Sequence, residues 1–107
     1  MYTVPEVPTI MINGGCKYPG NSDKDMLMEF EVALFRLQLQ AERTFLQTAA
    51  STGRPSVVVM DRGINDIAAY MPKELWEELL EREGYDRKYI DSRYDLVLHL
   101  VLSLIHI

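Results

Sequence analysis

Residues 56–63 read Ser56-Val57-Val58-Val59-Met60-Asp61-Arg62-Gly63, an apolar run that stops on two charged residues and a glycine. The run follows the chain breaker Gly53-Arg54-Pro55, and three of its four apolar residues are β-branched. A short apolar run bounded by breakers is typical of a strand buried on both faces. The stretch therefore predicts an interior strand of a parallel sheet.

Asp61 and Arg62 directly follow this predicted strand. In open α/β sheets, ligands bind outside the carboxyl ends of the strands. A carboxylate suits Mg²⁺ and a guanidinium suits phosphate oxygens. Four apolar residues followed by Asp also have the form of a Walker B element, whose Asp helps to hold Mg²⁺. The alternative interpretation is a strand that ends in a surface ion pair or in a helix N-cap.

Composition limits the classes of protein that fit. The chain has 107 residues, enough for one domain, with 48% hydrophobic and 25% charged residues, which is ordinary globular composition. Its net charge of −5 argues against nucleic-acid binding through the phosphate backbone but leaves room for a nucleotide pocket. Cys16 is the only cysteine, so a reducing, cytoplasmic location is predicted. No apolar run has the length of a transmembrane segment.

The segment from Met26 to Ala50 carries the strongest helical pattern. A wide apolar stripe of this kind packs on a sheet, and a helix that leads into a parallel strand is half of a βαβ crossover. Ser22 or Asp23 is predicted as the N-cap and Gly53 as the end. The predicted apolar positions are Leu27, Phe30, Val32, Leu34, Phe35, Leu37, Leu39, Ala41, Phe45 and Leu46.

The chain begins with a predicted strand, Met1 to Val4, followed by Pro5 and Glu6. Glu6 is therefore a second carboxylate just after a strand, although on its own a solvated turn residue is the simpler interpretation. From Pro8 the sequence predicts a short helix that ends at Gly14 or Gly15, with a second strand as the alternative.

The second half of the chain predicts two helices and a further buried strand. The strand, Leu96 to Val101, contains His99, which is more typical of a paired core residue than of a catalytic one. Residues 86–94 form either a solvated face or the rim of the site through Arg87, Lys88 and Arg93. The predicted helices are Ile64 to Tyr70, lying over the strand end, and Pro72 to Arg82, ended by Gly84.

The last six residues, Leu102-Ser103-Leu104-Ile105-His106-Ile107, match the translation of a common transposase adapter sequence. We interpret residues 102–107 as a non-native, adapter-derived tail and exclude them from the functional argument.

Four segments in this order carry a resemblance to a known family: Tyr2-Thr3-Val4-Pro5-Glu6, Asn13-Gly14-Gly15, Val59-Met60-Asp61-Arg62-Gly63 and Arg93-Tyr94-Asp95-Leu96-Val97-Leu98-His99. The chain resembles the AAA-type P-loop domain of the TRPL translocation defect family over residues 2–101. That domain is related to the kinase domain of NadR and more distantly to deoxynucleoside kinases.

The resemblance implies a doubly wound sheet that binds ATP or GTP with Mg²⁺. It also implies roles for three residues. Glu6 resembles the acid that faces the phosphoryl acceptor, Asp61 the acid near the metal, and Arg62 the arginine near the phosphate. These roles suit phosphoryl transfer, which depends on positioning and charge neutralisation. They require Glu6 and Asp61 to share one cleft.

The sequence departs from the family where the phosphates are held. No Gly-x-x-x-x-Gly-Lys-Ser/Thr occurs in it, and Gly14-Gly15-Cys16-Lys17 lacks the spacing of that motif. The expected fold class is therefore α/β: a partial, kinase-like P-loop NTPase sheet with flanking helices. The expected domain covers residues 1–101, with the first strand, the Walker A loop and the lid missing.

Three functional hypotheses follow. The parent protein is a nucleotide-binding regulator in trafficking or signalling, with a protein or lipid partner. Alternatively, it is a nucleoside kinase, of the ribosylnicotinamide type, that transfers the γ-phosphate of ATP with Glu6 as base. The third hypothesis is an inert fragment. We favour the regulator for the parent protein and the inactive fragment for the 107 residues themselves.

Overall fold

A computed structural model describes residues 1–20 and 22–97 of the chain. The described part is an α/β structure, as predicted, with two strands and mostly helical connections. Its elements in chain order are β1 (Tyr2–Val4), α1 (Val7–Asn13), α2 (Lys24–Ser51), β2 (Val58–Met60), a 3₁₀ helix (Ile64–Tyr70), α3 (Lys73–Glu83) and α4 (Arg87–Ser92).

The two strands form a parallel pair in which Tyr2 is opposite Val58 and Val4 is opposite Met60. The Asp61 N–H extends the ladder by donating to the Val4 carbonyl at 3.1 Å. The parallel pairing was predicted, and α2 supplies most of the crossover between the strands. Because the strands run in the same direction, their carboxyl ends lie at the same edge of the sheet.

The prediction that the strand at 57–60 is buried on both faces is wrong for the described structure. Val57 is 61% exposed and Val59 is 44% exposed, whereas Val58 and Met60 are half-buried. Alternate residues of a strand point to opposite faces, so one face is packed and the other is open to solvent. Helix α2 contacts both strands and covers the packed face.

The third predicted strand, Leu96 to Val101, is not formed by its two described residues. Leu96 and Val97 are exposed and belong to no strand. Residues 98–101, with His99, lie outside the described residues, as does the predicted tail at 102–107.

The long helix α2 forms the centre of the core, and its buried face is largely the predicted one, with two exceptions. Leu37 and Leu46, predicted to be buried, are exposed. Leu27, Val32, Leu34, Phe35 and Leu39 are buried as predicted, and three polar residues that were not predicted to be there lie among them: Glu31, Gln38 and Glu42. The predicted stripe counted only apolar side chains, so it left out the polar part of this face.

Helix ends follow the predicted signals. The Asp23 carboxylate caps α2 by accepting from the N–H groups of Asp25 and Met26, at 3.0 and 3.1 Å. Gly84 ends α3 with a φ of 81°, which a residue with a Cβ adopts only under strain. The helix predicted from Pro8 is α1, and it ends at Gly14. In the part of the chain that is described, no helix has both the length and the apolarity needed to span a bilayer.

Candidate functional site

Glu6 and Arg62 meet at the carboxyl edge of the two-stranded sheet. Glu6 stands two residues beyond β1 and Arg62 two residues beyond β2. The Arg62 Nε lies 3.6 Å from the Glu6 Oε1, and the two side chains are 40% and 36% exposed. Glu6 opens α1 without using its side chain to cap that helix, so the carboxylate is available to this edge. The structure thus brings together two of the three predicted site residues by direct contact.

Arg62 is held in place by more than its contact with Glu6. Its Nη1 donates to the Tyr70 hydroxyl, and its guanidinium lies over the Tyr70 ring, 5.7 Å from the centroid. The hydrogen bond to Tyr70 raises the pKa of Arg62. Its backbone has a φ of 72°, in the left-handed region that a non-glycine residue rarely adopts. The 3₁₀ helix that carries Tyr70 therefore fixes a charged guanidinium beside the strand ends.

Asp61 lies between the strand and Arg62, with its side chain exposed to solvent. Among residues 1–20 and 22–97, no hydrogen bond or ion pair engages its carboxylate, and no three acidic, His or Cys side chains cluster as a metal site would require. Mg²⁺ with a nucleotide needs only one or two carboxylates, because phosphates and waters complete its octahedron. The donor set fits magnesium that arrives with a nucleotide, and it does not fit a metal held by protein alone.

The space beside Arg62 is small. A cavity of ≈ 20 Å³ lies under the turn, which is room for one water molecule and far less than a nucleotide needs. A nucleotide therefore does not fit inside this cavity. The cavity is lined by Pro8, Leu34, Gln38, Arg62, Gly63, Asp66, Ile67 and Tyr70.

The sequence interpretation missed a buried polar group beneath the turn. Glu42 of α2 is fully buried and pairs with Arg93, whose Nη2 lies 3.0 Å from the Glu42 Oε1. Arg93 was predicted to lie on a solvated face or at the rim of the site, yet it turns inward, while Arg87 and Lys88 are exposed. A signal existed in the sequence: polar residues 31, 38 and 42 recur on one helical face inside an apolar stripe.

Comparison of the chain with known proteins identifies its family. A family model described as an AAA domain matches residues 1–103, nearly the whole chain. No curated protein and no solved structure matches the chain. The finer resemblance, to the TRPL translocation defect and NadR kinase-like group, stays a prediction. With a match of this extent, the chain belongs to the AAA domain family, a nucleotide-binding domain of the P-loop NTPase type.

Proposed function

We propose that the carboxyl edge of β1 and β2 is the part of a nucleotide-binding site that faces Mg²⁺ and the terminal phosphates of ATP or GTP. In this proposal Asp61 holds the metal, Arg62 neutralises phosphate charge, and Glu6 faces the group beyond the terminal phosphate. The bound magnesium nucleotide would supply the phosphoryl group and its charge, while the chain supplies orientation and opposite charge.

The observation that carries the proposal is the contact between Glu6 and Arg62 on neighbouring strand ends, 3.6 Å apart. A guanidinium that is fixed by Tyr70 and remains partly exposed keeps further N–H donors for a phosphate. The exposed carboxylate of Asp61 stands next to it in the chain. Glu6 and Arg62 lie at the carboxyl edge of parallel strands, which is where ligands usually bind in α/β sheets.

The proposal requires a phosphate-binding loop from outside these residues, since no Walker A motif occurs among the 107. We therefore propose that residues 1–101 follow such a loop in a longer protein and that residues 102–107 are not native. The chain alone is then expected to bind a fluorescent ATP or GTP analogue weakly or not at all. Tight binding by the 107 residues would contradict this division.

For the longer protein we propose the role of a nucleotide-binding regulator in trafficking or signalling, acting from the cytoplasm through a protein or lipid partner. A second candidate, a nucleoside kinase, is favoured by one observation. The Glu6 carboxylate makes no capping bond and lies beside the phosphate-facing arginine, where a general base for an acceptor hydroxyl would stand.

The metal assignment is tested by Asp61→Asn in the longer protein. Loss of one charge-assisted contact is expected to weaken Mg²⁺-dependent nucleotide binding about tenfold to a hundredfold. Isothermal titration with and without Mg²⁺ measures this, with Glu77→Gln on the exposed face of α3 as the control. Nucleotide affinity that does not change on Asp61→Asn would contradict the proposed metal site.

Glu6→Gln separates the two candidate functions. A kinase is expected to lose about 10²- to 10⁴-fold in kcat with an unchanged nucleotide Kd, because the general base is removed. A regulator is expected to show no acceptor-dependent phosphorylation across a nucleoside panel, with or without the substitution. Phosphorylation of one nucleoside by the unsubstituted protein would exclude the purely regulatory role.

A further inference from the structure

Glu42 accepts hydrogen bonds from three side chains while it is 0% exposed. The donors are the Gln38 Nε2 at 2.7 Å, the Arg93 Nη2 at 3.0 Å and the Tyr94 hydroxyl at 2.8 Å. A buried carboxylate is costly unless such partners surround it. Arg93 balances the charge of Glu42, which leaves Gln38 and Tyr94 as neutral partners with further hydrogen-bonding capacity.

Gln38 and Tyr94 both use that capacity on the backbone that flanks Arg62. The Gln38 Nε2 also donates to the Arg62 carbonyl, at 3.3 Å. The Tyr94 hydroxyl accepts from the Ile64 N–H at 2.9 Å while it donates to Glu42. An amide nitrogen has two hydrogens and a phenol both donates and accepts, so each group satisfies both bonds.

The Tyr94 ring is also fitted closely to the turn. A Cβ added at Gly63 would lie 3.2 Å from the Cζ and hydroxyl of Tyr94, so any side chain at position 63 would have to displace the Tyr94 ring by a few tenths of an ångström. Burial raises the pKa of Tyr94, so its hydroxyl keeps the proton that it donates to Glu42. The turn is thus bounded by Gln38 before Gly63 and by Tyr94 after it.

We propose that Glu42 is a positioning residue, which fixes the left-handed backbone of Arg62 by orienting Gln38 and Tyr94 against the two sides of the turn. Glu42 touches neither phosphate nor metal in this role; it determines where the Arg62 guanidinium stands. The consequence for nucleotide binding rests on the proposed function, whereas the effect on the backbone does not.

Tyr94→Phe is the sharpest test, because it removes both hydroxyl bonds and keeps the ring against Gly63. We expect the Ile64 amide to exchange with solvent at least about tenfold faster, and the Gly63 and Ile64 amide resonances to shift, in the 107-residue chain. In the longer protein we expect Mg²⁺-nucleotide affinity to fall about tenfold. Tyr85→Phe is the matched control, because the Tyr85 hydroxyl bonds Arg43 and not the turn.

A second variant acts on Glu42 itself. Glu42→Gln alone leaves Arg93 buried without its charge partner and can prevent folding, so it is combined with Arg93→Leu. The pair is expected to give the same faster exchange at Ile64 as Tyr94→Phe. Glu42→Asp keeps the carboxylate and is measured beside the pair. Slow exchange of the Ile64 amide in this variant would support orientation by the carboxylate.

The outcomes separate this inference from the proposed function. Unchanged exchange at Ile64 in Tyr94→Phe would overturn the positioning role. Faster exchange with unchanged nucleotide affinity, in a protein whose affinity falls with Asp61→Asn, would overturn the consequence for nucleotide binding and still support the positioning of the turn. If neither Tyr94→Phe nor Asp61→Asn changes the affinity, the proposed function fails, and the faster exchange still supports the positioning of the turn.

Discussion

Arg62 adopts a backbone φ of 72°, a conformation that costs a non-glycine residue about 1–3 kcal/mol. Contacts on all sides maintain it: Glu6 and Tyr70 hold the side chain and Gln38 holds the carbonyl. Strain that persists in this way is found mostly at ligand-binding and catalytic positions. The backbone of Arg62 therefore independently favours a functional role for this residue.

Arg62→Gly and Arg62→Ala separate the backbone strain from the side-chain contacts. Both remove a half-exposed ion pair that contributes at most about 1 kcal/mol, but only glycine relieves the left-handed backbone. We expect the glycine variant to be more stable than the alanine variant by about 1 kcal/mol in urea unfolding. An alanine variant of equal or greater stability would show that the φ is not a source of strain.

Glu31 shows what a polar residue on the buried face of α2 does to stability. It is 1% exposed, and its Oε2 has no hydrogen-bond partner within the described ranges. Burial raises the pKa of Glu31 from 4.5 to about 7, because a carboxylate is poorly solvated there. Between these two pH values the folded chain binds a proton that the unfolded chain has lost, so stability falls as pH rises.

Glu31→Gln tests that pH dependence. Ionisation of Glu31 costs the folded state up to about 3 kcal/mol above pH 7, and this cost is absent below pH 4.5, where the group is protonated in both states. We expect the variant to be more stable than the unsubstituted chain at pH 8 and nearly equal to it at pH 4.5. Urea unfolding at the two pH values measures the difference, and an equal difference at both would contradict the assignment.

At the level of elements, the sequence predicted helix ends well and strand burial poorly. Asp23 and Gly84 mark helix ends through local hydrogen bonds and φ requirements, which depend only on nearby residues. Whether Val59 is covered depends on which elements pack on each face of the sheet, and local sequence does not contain that information. Likewise, the recurrence of polar residues 31, 38 and 42 within the apolar stripe of α2 does not identify the partners of Glu42, because Arg93 and Tyr94 come from distant parts of the chain.

In the whole molecule, the candidate edge was predictable for a topological reason. Parallel strands place their carboxyl ends together, so residues that follow β1 and β2 lie at one edge of the sheet, as Glu6 and Arg62 do. The partners of Glu42 beneath this edge were not predictable, since Arg93 and Tyr94 come from the segment after α4. The functional roles of Glu6, Asp61 and Arg62 themselves stay predictions.

The open face of the sheet gives a prediction about the behaviour of the whole chain. Val57 and Val59 together expose β-branched apolar surface on a short parallel pair, a surface prone to association with other copies. Val57→Thr with Val59→Thr keeps strand propensity and is expected to lower self-association about tenfold, with little change in Tm. Light scattering across a concentration series measures it.

Leu37→Gln, on the exposed side of α2, is the control for general loss of apolar surface. It is expected to leave the scattering unchanged. An equal drop with Leu37→Gln would show that association does not depend on the sheet.

Because α1 and α2 both lie between β1 and β2 in the chain, Glu6 meets Arg62 only after a long-range strand pairing. Helices such as α2 form quickly from local contacts. Parallel strands pair slowly, because the intervening loop must close first. On the ribosome, α2 can become helical before residue 62 has been synthesised. A nascent chain would then contain its longest helix and still lack the contact between Glu6 and Arg62. Helix content is therefore a poor measure of when the carboxyl edge of the sheet has formed.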